Sequence, residues 1–518
     1  MLRKNKNGLL ISIFFQLLTV LTVAGPKEIP DSALFKLVNK VYEQPAFRKS
    51  LNIREYALLK DFYDKNRYIM QWYGSWAHKS KRLTLAATLS NAENYLLSPA
   101  DYPIAFISNA NDPATGYDTL VAELRFTDAA LRMMHDIAYA NDPPYLKYNG
   151  LNYHPGCIEL NALLSAALAD GDFEKYFTAI EPINIKYRVL KSAFIRLRLV
   201  TREKDFAEIR IINKELKLTN ILLVKKLKQL GYMTDTDTTQ DKLDTALGKL
   251  QKEHNLPVKS MLSANTLQVL NEPLEEKLAE LKWNIRWYRW FNCMQNMSYV
   301  LVNIPANRLT FFENGNEKLT SKMVVGKIST PSPTLTSTIT QVIYYPYWNV
   351  PFDIAVKEML PALKRNPYYL DKLQIEVLSA GKALPSSADV NWQNYSSSNF
   401  PFALRQKPGC KNALGRLKFN FENPFSVYLH DTDARNRFLA SRRFFSHGCM
   451  RVEKPYELAL ALGVPPEKIK MDKCLTEMKP EAINLLKPVP VFVIYATIDL
   501  EEGELRWYED AYHKRENK

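Results

Sequence analysis

The hydrophobic period changes near Asn296. Before it, "YALLKDFYDKNRYIMQWYG", "ELRFTDAALRMMHDIAYA" and "NALLSAALADGDFEKYF" carry apolar residues at the spacing of amphipathic helices. Beyond it, "SYVLVNIP", "RLTFFE", "KMVVGK", "TQVIYYPYW", "ALGRLKFNF", "FSVYLH" and "VPVFVIYATI" are strand-like and separated by turn residues. A segment patterned for one period does not bury its apolar face in the other, so helices and strands segregate along this chain. With 518 residues the chain also exceeds what one core serves. The expected fold class is multidomain α+β.

The map begins with a targeting segment at 1–24. Arg3, Lys4 and Lys6 precede an apolar run, and Thr22-Val23-Ala24 before Gly25 has the small residues of a cleavage site. The segment reads as a signal peptide or, if uncleaved, an N-terminal anchor, so the protein is expected to be exported. Residues 25–205 read as a helical scaffold, in which His78, His135 and His154 are isolated and structural. Residues 206–272 hold three short helices. Leu223, Leu227 and Leu230 share one face before Gly231 as cap, Leu243, Ala246, Leu247 and Leu250 share another, and Ser263 is a candidate N-cap. Residues 273–296, with "LEEKLAELKWNIRWYRWF", read as a linker helix. The β-rich domain occupies 297–499, its strand pattern lapses over 351–408, and 500–518 reads as a C-terminal tail.

The formal net charge of +14 suits attraction to an anionic envelope polymer or membrane surface, and an exported setting argues against nucleic acid. No Walker-type, zinc-finger or RNP pattern occurs. The five cysteines are Cys157, Cys293, Cys410, Cys449 and Cys474, with none in C-x-x-C spacing, so a metal site is not expected. Four can pair, and the odd one in an exported protein is either inert and buried or kept for its reactivity.

Cys449 is the candidate for reactivity. A cysteine near its ordinary pKa of about 8.5 is mostly protonated at neutral pH and needs a base or positive potential. His430 ends the strand "FSVYLH", and His447 lies two residues before the cysteine. Either can serve as base by spacing alone. Gly448 permits a tight curl and lets backbone N–H groups approach an oxyanion.

The stretch "HDTDARNRFLASRRFFSHGCMRV" resembles the signature of L,D-transpeptidases with a YkuD-type catalytic domain. "YYPYWNVP", "FALRQKPG", "NALGRLKF" and "VYLHDT" stand in the order of the large periplasmic branch of that family. The module "LKQLGY…ALGKLQKEHNLP…NTLQVLN" is similar to its peptidoglycan-binding domain, although "LPVKSMLSANT" lacks the usual glycine-rich turn. The module therefore either binds glycan or braces the catalytic domain. The resemblance implies a helical scaffold, a small three-helix peptidoglycan-binding-like module and a β-rich YkuD-type catalytic domain with 351–408 as an inserted capping subdomain.

It also implies Cys449 as nucleophile and His430 as general base, with Ser446, His447 and Gly448 lining the site and the Gly448 and Cys449 N–H groups as oxyanion donors. Asp431 is a candidate third member, or else structures the turn. Arg451 would hold a stem-peptide carboxylate or brace its loop. Tyr345, Trp348 and Asn349 would shape a substrate groove, with Arg405 and Gln406 from the capping motif. The implied activity is 3→3 cross-linking of peptidoglycan stem peptides in the periplasm, with a tetrapeptide donor, a stem amine acceptor and no cofactor or metal. Other cell-wall synthesis proteins are possible partners, and membrane contact is confined to the N-terminal segment. An L,D-carboxypeptidase and a non-catalytic wall-binding protein are the alternatives.

Overall fold

The computed structural model describes residues 33–74, 76–102, 115–142, 144–204, 206–211, 216–234, 239–259, 261–294, 296–468 and 479–515. The targeting segment 1–24 and Cys474 lie outside the described residues. No helix among the described residues is long and apolar enough to cross a membrane. The chain divides into two compact units, one holding 1–79 and 111–128 and the other 80–110 and 129–518.

In the first unit, helices Ala33–Glu43 and Tyr56–Lys65 bury Leu37, Val38, Val41, Leu59 and Phe62. Its most buried charge is Glu123. That carboxylate accepts the Gln71 and Trp72 N–H groups at 2.5 and 3.0 Å and the Tyr63 hydroxyl at 3.0 Å. Asp128 accepts the Arg54 and Glu55 N–H groups at 2.9 and 2.7 Å, satisfying backbone donors at the start of helix Tyr56–Lys65.

In the second unit, the stretch expected as one helix, "NALLSAALADGDFEKYF", is two: Leu160–Asp170 and Phe173–Ala179. Gly171, at φ +74°, ends the first in the left-handed region, and the Asp172 side chain caps the second by accepting the Lys175 N–H. Helices Leu216–Gln229, Gln240–Glu253 and Ala264–Asn271 follow, the last capped by Ser263. Leu227, Leu247, Leu250 and Leu270 share one core with Leu278, Leu281 and Ile285.

Two expectations need correction here. The "linker" Leu274–Trp290 is enclosed, because it serves two cores. Leu274, Leu278, Leu281, Ile285 and Tyr288 face the helical one, while Trp287 and Trp290 enter the core of the β-domain. The "tail" begins with a hairpin, Ile498–Glu501 against Glu504–Trp507, whose Ile498, Leu500, Leu505 and Trp507 complete the helical core. Neither linker nor tail is free chain, since each hides apolar side chains that no other element covers.

The main sheet closes on itself. Leu335–Tyr344 pairs with Leu417–Phe421, then follow Leu429–His430, Met450–Val452, Asn316–Gly326, Arg308–Glu313, Tyr299–Asn303 and Glu481–Ile494, which returns to Leu335–Tyr344. Closure removes the exposed strand edges. Tyr148–Asn149, from the region expected to be helical scaffold, adds in parallel to Leu335 and Thr336. Nearby, Cys157 and Cys293 form a disulfide, and Cys410 is disulfide-bonded as well.

The insertion builds its own four-stranded sheet, Trp348–Asn349, Ala403–Gln406, Ile375–Ser379 and Lys382–Ala383. Its core holds Val356, Leu360, Leu363, Val377, Trp392 and Leu404. The sheet starts before Pro351, so the insertion is wider than 351–408. Its neck is tied by Asn412 Nδ2, which donates to the Pro346 and Lys407 carbonyls at 3.1 and 2.9 Å.

Candidate active site

Side chains alternate across a strand, so register decides what meets what. Leu429 lies opposite Met450 and His430 opposite Arg451 in a parallel pair, while Lys418 lies opposite His430 in an antiparallel one. Leu429 and Met450 are 0% exposed and fill the barrel core. Their neighbours Tyr428, His430, Cys449 and Arg451 therefore share the other face, where all four line a cleft of about 580 Å³. The Met450 N–H donates to the Tyr428 carbonyl at 3.1 Å, which sets Cys449 beside Tyr428.

The loop before Cys449 is held from inside. Ser446, 2% exposed, accepts the Gly448 N–H on its hydroxyl at 3.2 Å and donates to the Cys449 carbonyl at 2.5 Å. Gly448 sits at φ +111°, a conformation that side chains rarely adopt. Its carbonyl accepts the Ser332 hydroxyl at 2.7 Å. This corrects one expectation: the Gly448 N–H is committed to Ser446 and is not an oxyanion donor in this arrangement.

Cys449 is half-buried and is a free thiol. Burial pushes its pKa up, against the pull of the Tyr428 backbone and hydroxyl, Lys418 and Arg451. His430 is 3% exposed. Burial, helped by the nearby Arg451 and Lys418 charges, pulls its pKa down to about 3. Its Nδ1 is buried without a hydrogen-bond partner. At neutral pH the cleft thus holds a thiol, whose Sγ donates to the Ser426 carbonyl at 3.9 Å, and a neutral imidazole, which is a proton acceptor.

Arg451 lines the cleft with its Nε buried and unpartnered, and burial lowers its pKa against the favourable charge of Asp433. His447 lines the same cleft, its Nε2 2.6 Å from Glu358 Oε1 of the insertion and 3.1 Å from Lys327 Nζ. Trp348 also lines it.

Five expected site residues lie elsewhere. Asp431, next to His430 along the strand, points away from it. Its buried carboxylate accepts the Arg416 N–H at 2.9 Å and pairs with Arg435 at 3.1 Å, so it structures the turn. Tyr345, at φ +44°, packs against the barrel core and is absent from the cleft lining. Asn349 is exposed and pairs in register with Arg405. Arg405 is held by Glu376 at 2.7 and 3.0 Å and lies over the Tyr347 ring at 4.4 Å, while Gln406 donates to the Leu373 and Lys411 carbonyls. Both brace the insertion.

Sequence reasoning missed Tyr428, Lys418, Lys327 and Glu358. Tyr428 was within reach, since it stands two residues before His430 and must share its face. The others reach the site by cross-strand pairing or from the insertion, which spacing does not show.

Comparison with known proteins gives matches in two parts of the chain. Residues 297–467 match the YkuD family model, described as the L,D-transpeptidase catalytic domain, and residues 57–194 match the scaffold domain. A curated relative from Haemophilus influenzae, named "Putative L,D-transpeptidase", is 31% identical over 215 residues, 41% of this chain and 44% of the relative. The chain thus spans less than half the length of the curated relative it matches. A solved mutant of the Enterococcus faecium L,D-transpeptidase is 11% identical over 43% of this chain and 64% of its own, with a TM-score of 0.18. A carbamoyl enzyme formed with avibactam is 12% identical over 59% and 98%, with a TM-score of 0.19. The chain thus carries a match to the YkuD-family L,D-transpeptidase catalytic domain at residues 297–467, with a scaffold-domain match ahead of it at 57–194.

Proposed function

We propose that the protein is a peptidoglycan L,D-transpeptidase that forms 3→3 cross-links through a thioacyl-enzyme on Cys449. The observation that carries this reading is the common cleft face of Cys449 and His430, with the imidazole neutral and able to accept a proton.

In the first half-reaction the Cys449 sulfur attacks the carbonyl joining the third stem residue to the terminal D-alanine, and its proton passes to His430. The Cys449 N–H and the Tyr428 hydroxyl, kept protonated by burial, are the oxyanion donors. The carbon–nitrogen bond breaks, the D-alanine amine takes the proton from His430, and a thioester remains. Arg451 binds a stem carboxylate, an anion suited to its buried and under-partnered guanidinium. In the second half-reaction the amine of another stem displaces the sulfur. The chemistry calls for no metal or organic cofactor, and carbapenems would acylate the same sulfur. The reading includes export to the periplasm by the N-terminal segment.

Mass spectrometry of products from the protein lacking residues 1–24, incubated with disaccharide-tetrapeptide beside Cys449→Ala, tests this. A dimer lacking one D-alanine, absent with the variant, is the expected result. Tripeptide alone would mean that water is the acceptor and the enzyme an L,D-carboxypeptidase. No product from the folded protein would favour a wall-binding role.

A further inference from the structure

The cleft holds a carboxylate–imidazole contact that the first half-reaction does not use. Glu358 stands on a π-helical turn, Ala355–Met359, just ahead of Pro361. A proline has no N–H to donate and its ring crowds the preceding turn, which accounts for the widening there. Such turns recur at functional sites. This one brings Glu358 to the cleft wall, with its Oε1 2.6 Å from His447 Nε2.

Two electronegative atoms that close need a proton between them. An ionised carboxylate has none to give, so Nε2 carries it and donates to Glu358. The Nδ1 of His447 is then left with its lone pair. Lys327 Nζ, 3.1 Å from the same Nε2, can only donate, so it competes with Glu358 for that nitrogen, and the shorter carboxylate contact decides the tautomer. The other charged groups from the same stretch of the insertion, Asp353 and Lys357, pair with each other at 2.9 Å. His430 and Arg451 face the cleft from the strands.

The two histidines are differently placed. His430 is buried on the strand face, whereas the His447 side chain is 33% exposed. Of the two, His447 is the one that an amine arriving from solvent can reach.

We propose that Glu358 is a positioning residue that holds His447 in this tautomer, and that His447 takes the proton of the acceptor amine in the second half-reaction. The inference rests on the transpeptidase reading above. As the amine nitrogen bonds to the thioester carbon, one N–H proton passes to His447 Nδ1 and the carbon–sulfur bond breaks. The Cys449 thiolate departs and recovers that proton from His447, so thiol and neutral imidazole are both restored. His430 serves acylation, and the Glu358–His447 pair serves transfer.

The test separates the two steps in the protein lacking residues 1–24. D-alanine release, in a burst measured without acceptor, reports acylation. Cross-linked product reports transfer to a stem amine, and acyl hydroxamate reports transfer to hydroxylamine, a weakly basic amine whose adduct sheds its proton readily to water. Glu358→Gln reverses the polarity of the contact and should leave the burst within about twofold while lowering stem-amine transfer about tenfold or more. Hydroxylamine transfer should stay near the parent value, and Glu358→Asp should recover much of the stem-amine rate. Equal loss of burst and transfer, or parallel loss with hydroxylamine, would overturn the inference and make Glu358 a structural brace. No D-alanine from the parent would overturn the transpeptidase reading, and this inference with it.

Discussion

Two regions bury titratable groups and finish them differently. In the first unit, Glu123 is enclosed by two backbone N–H groups and a tyrosine hydroxyl, so its acceptor oxygens are used. On the cleft face, His430 Nδ1 and Arg451 Nε are buried without partners. A buried polar group left unpaired costs about 1–3 kcal/mol, which folding alone gives no reason to bear. Buried atoms without a partner occur outside the cleft as well, at His135 Nδ1 and Arg289 Nε, so what sets His430 and Arg451 apart is that they line a cleft a substrate can enter.

The contrast is most exposed to test at the open end. His430→Gln should lower D-alanine release from a tetrapeptide stem by about 10²- to 10⁴-fold, the range for a lost general base, and Cys449→Ala should abolish it. A loss under tenfold for His430→Gln would place the base elsewhere, with His447 the first alternative.

Arg451→Gln comes next in size. If the guanidinium completes its bonding with a stem carboxylate, KM should rise about 10- to 100-fold with kcat little changed. The penalty should vanish for a stem whose carboxylates are amidated. An equal penalty on both substrates would make Arg451 a brace for its loop.

The thiol gives a smaller graded effect. With its pKa raised by burial, alkylation of Cys449 by iodoacetamide should climb by about tenfold per pH unit from pH 7 to beyond pH 9. A plateau at neutral pH would reveal a thiolate–imidazolium pair and contradict the neutral one inferred above.

Smallest, and the sharpest on the comparison itself, is the pH dependence of stability. Burial raises Glu123 from 4.5 to about 7, so the folded form holds a proton that the unfolded chain gives up, and its contribution is lost as pH rises through that window. His430 falls from 6.5 to about 3, so the unfolded chain binds the proton first, and its contribution is lost as pH falls through that window. Thermal unfolding between pH 5 and pH 6.5 should show the gap between parent and Glu123→Gln narrowing with rising pH, and that between parent and His430→Gln widening. Slopes of the same sign would undo the contrast.

Much of this site could be read ahead of the structure. The period-two stretch "FSVYLH" placed His430 at a strand end, and the glycine before Cys449 announced a tight loop. What stayed hidden depends on partners distant in the chain. The Ser446 hydroxyl takes the Gly448 N–H that was expected to be free, because the loop folds over its own serine. Helix Leu274–Trp290 looked like a linker because its apolar residues surround the axis, a pattern that only two cores can use. The hairpin beyond Ile498 is short and charged, and its role appears only when Trp507 stacks on His254, with ring centroids 5.4 Å apart. Asp431 neighbours a catalytic candidate in sequence, yet alternation along the strand turns it to the opposite face.

The central claim is that Cys449 carries the acyl group, and the trapped intermediate tests it most directly. The protein lacking residues 1–24 would be mixed with tetrapeptide stem without acceptor, quenched in acid and digested, and its peptides mapped by mass. A stem adduct short of D-alanine on the peptide containing Cys449, missing in Cys449→Ala, is the predicted result. D-alanine release with no adduct on that peptide, or with the adduct on another residue, would contradict it.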